Sequence, residues 1–413
     1  MNQVNEHADI QADNAVTSHS ANAPTLKSSG LQKLPYDFMD STGLGNCTVP
    51  LLESISPNSD IEEILVFARN NQATDIHISV NNPIFFRKYG GLIAQTKQIL
   101  KTQDVKFFLE NMLTAQQLTE FYAYGDLELI YVITGAGRYR VTIGKKTPGW
   151  DITIRLIPMQ LFSFEDSGMP ESCRELTRWS QGMVLVTGPI GCGKTTTLSV
   201  LTELINQTRT EHIITIENPI EFVFQPEKCQ ITQREINKHT LSQDNALRAA
   251  LRQDPDILIV SELRDNESIH LAATAAETGH LVLGTMNTND AAQTILRIVN
   301  SFSVEDRSLV QNMISESLRG IICQQLIPRK DGTGIVTAYE VLVVNSAISN
   351  LIRKGNVDQI LRVIATGAAE GMIPFDLSLM NLLEKNIISW EEAYARCANK
   401  REFEKRRGGF YPF

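Results

Sequence analysis

Nine residues at positions 188–196 read GPIGCGKTT and follow the apolar run MVLVT at positions 183–187. The first eight fit G-x-x-x-x-G-K-[S/T], in which small residues let the backbone wrap phosphates and turn its N–H groups inward. The pattern requires a strand before it and a helix after it. The N-terminus of that helix is the positive end of its dipole and attracts anions. It therefore predicts a nucleotide cradle made of Gly188, Pro189, Ile190, Gly191, Cys192, Gly193, Lys194, Thr195 and Thr196.

Two side chains of this cradle carry specific chemistry. Lys194 supplies a point charge to the β- and γ-phosphates. Thr195 can place its hydroxyl on Mg²⁺, an ion that keeps most of its waters in such sites. A chance match is the alternative, and the strand and helix signals on either side disfavour it. The predicted cofactors are ATP and Mg²⁺.

Two acidic residues end apolar strands further along the chain. The run ILIV at 257–260 leads through Ser261 to Glu262, which is predicted to reach the carboxyl edge of a sheet and orient the attacking water. Glu217 closes the strand HIITIE and, strand order permitting, would reach the same edge and hold Mg²⁺ through water. The alternative for Glu217 is a capped loop held by Pro219.

Composition limits the class of protein. The chain has 413 residues and a formal net charge of −9, which disfavours a bulk electrostatic grip on nucleic acid. Its six cysteines have no metal-ligand spacing. The N-terminus lacks the pattern of a secretory signal, and the apolar runs are too short to span a bilayer. A cytoplasmic protein that meets membranes only through partners is expected.

Four segments are expected along the chain. Residues 1–55 are polar and aperiodic and predict a disordered N-terminal arm. Residues 56–158 mix helical and alternating strand patterns, and residues 159–178 form a linker. In residues 179–413 strands alternate with helices, which predicts a parallel sheet covered on both faces, and from position 306 onward the signal is mainly helical.

In this order, the segments resemble the secretion ATPase superfamily of type II/IV secretion and type IV pilus ATPases. Within it they are most similar to the PilT-like pilus retraction ATPases. The resemblance covers roughly residues 60–405 and rests on the boxes GPIGCGKTTT at 188–197, IENPIEF at 216–222, SELRD at 261–265, AAETGHL at 275–281 and GMIPFD at 371–376.

The resemblance implies an α/β fold: a RecA-like P-loop ATPase domain with a PAS-like α+β N-terminal domain and a helical C-terminal part. It implies a hexamer near the inner membrane that works with an inner-membrane platform protein. It also implies that Arg138, Arg140 and Arg155 reach the phosphates, although they would otherwise be ordinary strand-face arginines. His280 joins the catalytic set only through its place in AAETGHL, since a lone histidine is usually a packed or surface residue.

Three positions depart from the family pattern. Asn287 replaces a second histidine, Asn218 replaces an aspartate, and Ser261 replaces a glycine. The first two motivate an alternative function, a weakly active accessory subunit of a pilus or of a type IVB secretion or conjugation machine. Without a C-x-x-C pair the sequence favours the retraction branch, or the type IVB and conjugation ATPases, over extension and type II secretion ATPases. A nucleic-acid translocase is disfavoured by the acidic balance.

Overall fold

The computed structural model describes residues 60–88 and 91–407. The arm expected at 1–55 lies outside the described residues. The strands are β1 (Asp75–Ser79), β2 (Phe85–Lys88), β3 (Gly91–Ala94), β4 (Asp126–Ile133), β5 (Gly137–Lys145), β6 (Trp150–Leu156), β7 (Gly182–Thr187), β8 (His212–Glu217), β9 (Gln230–Glu235), β10 (Ile257–Val260), β11 (Leu281–Met286), β12 (Leu318–Pro328) and β13 (Ile335–Val343). The α-helices are α1 (Ile61–Asn70), α2 (Thr102–Met112), α3 (Ala115–Tyr124), α4 (Glu171–Leu176), α5 (Lys194–Thr208), α6 (Gln243–Ala250), α7 (Asn266–Glu277), α8 (Ala291–Asn300), α9 (Arg307–Ser317), α10 (Ser346–Arg353), α11 (Ile360–Thr366), α12 (Phe375–Glu384), α13 (Trp390–Arg396) and α14 (Lys400–Arg407).

The N-terminal sheet is antiparallel, with strand order β3-β2-β1-β6-β5-β4. Helix α1 begins after Asp60, whose carboxylate caps it by accepting from the backbone N–H of Glu62. The helix buries the side chains of Ile61, Ile64 and Leu65, which lie on one face at helical spacing. Together with helices α2 and α3 this sheet forms the α+β part that the sequence predicted.

The second sheet has the strand order β13-β12-β7-β11-β10-β8-β9. Its neighbours are parallel except β12 and β13, which are antiparallel. Strands β7, β10 and β11 are buried along their whole length because helices cover both faces of the sheet. The carboxyl ends of the parallel strands meet at one edge, where such folds bind ligands.

The C-terminal part is mainly helical, as predicted, but it also contains two strands that the sequence did not indicate. The region after position 306, predicted to be mainly helical, contributes strands β12 and β13 to the second sheet. A short apolar run such as IIC at 321–323 cannot be assigned to helix or strand by periodicity alone, and its pairing with β7 decides it. From Ser346 to Arg407 the chain forms helices joined by short connections. Helix α4 lies within the segment 159–178 that was expected to be a linker.

Within residues 60–88 and 91–407, no helix combines the length and the apolar character that crossing a bilayer demands.

Candidate functional site

The loop between β7 and α5 has a backbone that glycine makes possible. Gly188, Gly191 and Gly193 have φ values of +147°, +79° and +88°, which side chains with a Cβ rarely adopt. A Cβ added at Gly191 would meet no atom within 4 Å, so this part of the loop faces open space. A Cβ at Gly188 would lie 2.3 Å from the carbonyl oxygen of Gln324. The loop is therefore pressed against β12 on one side and open on the other.

Lys194 begins helix α5 and folds back over this loop. Its Nζ donates hydrogen bonds to the carbonyl oxygens of Gly188, at 3.0 Å, and Pro189, at 2.9 Å. Partial burial lowers the pKa of Lys194. A lysine held only by neutral carbonyls gains a stronger partner when an anion arrives, so the side chain is available to phosphate oxygens.

A cavity of about 780 Å³ lies between this loop and the N-terminal sheet. Strands of both sheets and the loops after them supply charged side chains to its wall. Thr195, at the start of α5, adds a hydroxyl. Its charged and hydroxyl-bearing residues include Arg140, Arg155, Lys194, Thr195, Glu221 and Glu262. Basic side chains and four carboxylates, the other two being Asp75 and Glu128, therefore face one space next to the phosphate loop.

Glu262 reaches this cavity from the end of β10, as the sequence predicted. Its Oε1 accepts a hydrogen bond from Nδ2 of Asn287, which follows the neighbouring strand β11. Its Oε2 accepts one from Arg264 at 2.6 Å. Both carboxylate oxygens are thus occupied by protein donors, and the assignment of Glu262 as the water-orienting base stays a prediction.

The structure places Glu217 differently from the expectation. It is only 8% exposed, and its Oε1 accepts from the Thr215 hydroxyl at 2.6 Å and from Gln233 at 3.0 Å. Burial raises the pKa of Glu217 to about 7. Glu217 does not line the cavity, because its carboxylate is buried against Gln233 of β9, and the geometry does not support its role at Mg²⁺. Glu221 lines the cavity in its place.

Two of the three arginines assigned to the phosphates contact the loop 217–222. Arg138 donates to the carbonyl oxygens of Ile220, at 2.7 Å, and Glu221, at 2.8 Å. Arg140 forms ion pairs with Glu128 and, at 2.9 Å, with Glu221. They tie strand β5 of the N-terminal sheet to the loop after β8 of the second sheet.

The third arginine, Arg155, pairs with Asp75 of the neighbouring strand at 2.9 Å. Its side chain is 61% exposed and lines the cavity. Arg140 and Arg155 are therefore close to where phosphates would lie, although both are held by carboxylates of the protein.

The geometry does not support a catalytic role for His280. It precedes β11, and its carbonyl oxygen accepts from the backbone N–H of Gly182, the first residue of β7. The phosphate loop follows Thr187 at the other end of β7, about 16 Å away at strand spacing. The parallel pairing of β7 and β11 thus puts His280 at the opposite edge of the sheet, where its Nδ1 contacts the carbonyl oxygen of Ala275.

The residues at the loop fit a magnesium nucleotide. The open space beside Gly191, the helix start and Lys194 suit phosphate oxygens. In the part of the chain that the structure describes, no three His, Cys, Asp or Glu residues gather closely enough to hold a metal by themselves. Thr195 would supply its hydroxyl to an Mg²⁺ ion that is bound mainly through the phosphates.

Sequence reasoning gave no role to three residues that the structure brings to this site. Glu221 lines the cavity, Arg264 contacts Glu262, and the buried Gln324 contacts the phosphate loop. Gln324 left a signal that could have been read, since it is a polar residue at the end of the apolar run IIC in a segment predicted to be helical. Glu221 depends on the contact between the two sheets, whereas Arg264 lies only two positions from Glu262.

A parallel sheet with this loop at its carboxyl edge and an acidic residue two strands away defines a P-loop nucleoside triphosphatase. The sequence pattern of one family, described as type II/IV secretion system protein, matches residues 55–370. The chain belongs to this family.

Individual relatives agree with the family assignment. The chain is 40% identical over 334 residues to the type IV pilus retraction ATPase PilT of Pseudomonas aeruginosa. The aligned region covers 81% of this chain and 97% of the relative. A crystal structure of the pilus retraction motor PilT with bound ADP has a TM-score of 0.75 and 35% identity, covering 84% of this chain and 99% of that one. The Legionella pneumophila ATPase DotB has a TM-score of 0.71 and 27% identity, covering 81% and 94%.

Proposed function

We propose that this protein is an ATP-hydrolysing motor that powers type IV pilus retraction or a related type IV secretion process. One observation carries the proposal: the phosphate loop, Glu262 and Arg140 of the N-terminal sheet face the same cavity. The similarity to PilT, which extends over 97% of that relative, supports retraction as the direction in which the motor works.

The residues suggest how the site would act. Lys194 exchanges two backbone carbonyls for phosphate oxygens, and the amides of the loop bind the same group. Bound magnesium would neutralise charge on the phosphates and order them for attack. Each carboxylate oxygen of Glu262 accepts one hydrogen bond from the protein and has a second lone pair that can accept a hydrogen bond from a water.

The domain contact gives hydrolysis a mechanical consequence. Arg140 is shared between Glu128 and Glu221, and a triphosphate beside it offers a stronger competing anion. When Arg140 moves to the phosphate it loosens the contact between the N-terminal sheet and the loop 217–222. A guanidinium that reaches the γ-phosphate also stabilises the charge of the transition state. Binding and turnover would thereby change the angle between the two sheets.

The first experiment separates binding from hydrolysis. Glu262→Gln is expected to bind ADP within about twofold of the wild type while kcat falls at least a hundredfold, since only the water-orienting group is lost. The control is Glu267→Gln, at the start of α7, where an exposed glutamate pairs with Arg248. Equal turnover by Glu262→Gln and the wild type would show that the catalytic assignment is wrong.

A second candidate function is supported by one contact. Asn287 is bound to the carboxylate of Glu262, and an amide cannot take up a proton near neutral pH. A weakly active accessory subunit would be the consequence. Steady-state ATPase of the purified protein distinguishes the two, because a robust rate excludes the accessory function.

The assembly and the cellular role need their own measurements. We propose a homohexameric ring on the cytoplasmic side of the inner membrane, attached to a platform protein of the pilus or secretion system. Light scattering should give the mass of six chains. A deletion strain with excess surface pili indicates retraction, and one without pili indicates extension.

A further inference from the structure

Gln324 is a buried amide that contacts the phosphate loop from a neighbouring strand. Its side chain is 2% exposed. Nε2 donates to the carbonyl oxygen of Cys192 in the loop at 2.6 Å, and Oε1 accepts from the Thr197 hydroxyl in the first turn of α5 at 2.7 Å. The amide therefore connects the loop to the helix on either side of Gly193, the position at which the backbone turns with φ of +88°.

The backbone of Gln324 also contacts the loop. Its carbonyl oxygen would be 2.3 Å from a Cβ at Gly188, so the loop begins in direct contact with β12. The parallel register explains this position, because Cys323 pairs with Thr187 at the end of β7 and Gln324 comes next. Both ends of the glycine-rich turn thus rest on one residue of β12.

The alternation of side chains along β12 determines the face of the sheet from which the Gln324 side chain projects. Ile322 packs in the cluster that contains Leu198 and Leu201 of α5, and residues two apart in a strand share a face. Gln324 consequently points toward α5, whereas Gln325 points to the other face. Two adjacent glutamines therefore offer a matched pair of positions, one at the loop and one away from it.

We propose that Gln324 is a positioning residue for the nucleotide, which holds the phosphate loop in its binding shape by bridging Cys192 and Thr197. Without it, the Cys192 carbonyl and the Thr197 hydroxyl lose their buried partner. The loop then gains freedom at Gly193, and its N–H groups no longer converge on one anion. This inference rests on the proposed function, since it concerns the same nucleotide site.

The test compares Gln324→Met, which keeps length without polar atoms, with Gln325→Met. ADP and ATP affinities are measured by calorimetry with magnesium, and kcat by steady-state ATPase. Gln324→Met is expected to weaken ADP binding about tenfold, the size expected for one lost buried hydrogen bond, while Gln325→Met stays within about twofold. A purely structural role would lower the thermal stability of Gln324→Met and leave the ADP affinity of the folded variant unchanged.

A second variant keeps the inference testable if Gln324→Met does not fold. Thr197→Val removes the other half of the bridge and is expected to weaken ADP binding severalfold. If both fold, the double variant should lose less affinity than the sum of the single losses, because both break one connection.

Unchanged ADP affinity in Gln324→Met or in Thr197→Val overturns the inference. If the wild type itself binds no nucleotide, the proposed function fails instead, so the two failures are distinguishable.

Discussion

Glu217 offers a test of the buried acid at the end of β8. It accepts hydrogen bonds from Thr215 and Gln233 but has no cationic partner in either bond. Burial raises its pKa from the ordinary value of 4.5 to about 7, against the opposing effect of those two hydrogen bonds. Glu217→Gln keeps the shape and removes the charge. We therefore expect the variant to be more stable than the wild type wherever the native carboxyl must ionise.

The sign and size of this stability difference follow from the difference in proton binding between the native and unfolded states. Between pH 4.5 and 7 the native state holds a proton that the unfolded state has lost, so stability falls as pH rises through this window. Above pH 7 the carboxyl is ionised in both states, and the full free-energy cost of ionising it in the native state lowers stability. A difference of about 2.5 pH units corresponds to roughly 3 kcal/mol at 1.36 kcal/mol for each unit. Below pH 4.5 the cost disappears.

Thermal unfolding of both proteins between pH 4.5 and 8.5 measures this effect. For a domain of this size, about 3 kcal/mol corresponds to a Tm gain of roughly 6–10 °C for Glu217→Gln at pH 8, shrinking toward zero near pH 4.5. The exposed Glu267→Gln serves as the control and should show no such trend. A Tm difference that does not change with pH, or a wild type that is more stable above pH 7, would refute the reasoning.

Two further substitutions test the cavity wall. Asn287→His puts a titratable ring against Glu262. Below about pH 6.5 the imidazolium should pair with the carboxylate, so the ratio of the variant's kcat to the wild-type kcat should fall. A ratio that is flat from pH 5.5 to 8 would contradict the contact. Arg140→Ala removes a guanidinium that pairs with Glu221, and we expect kcat to fall roughly a thousandfold while ADP affinity changes within about twofold. Equal losses in kcat and ADP affinity would instead assign Arg140 to ground-state binding.

The phosphate loop and Glu262 could be predicted from the sequence because each depends on neighbouring residues. An apolar run followed by GPIGCGKT specifies a strand, a tight glycine turn and a helix start within one short segment. An apolar strand ending in an acid specifies a position at a sheet edge without knowledge of the other strands. The roles of Lys194 and Thr195 follow from the same local pattern.

The remaining site depended on strand order and direction. Glu217 and Glu262 both end apolar strands, yet the Glu217 carboxylate is buried against Gln233 of β9, and Glu221 of the following loop lines the cavity instead. His280 precedes its strand and so lies at the far edge. The Glu217 outcome needs the pairing of β8 with β9, which no local period specifies, whereas the His280 outcome follows from its place before a parallel strand.

What the sequence by itself determined is the phosphate loop and the acid at the end of β10, because residues a few positions apart specify both. Only the tertiary structure decided that Gln324 of β12 supports the loop and that Arg140 bridges the two sheets. Those contacts join residues more than 80 positions apart, Arg140 to Glu221 and Gln324 to Cys192. They form only when strand pairing and domain packing bring distant segments together, which hydrophobic periodicity within one segment cannot specify.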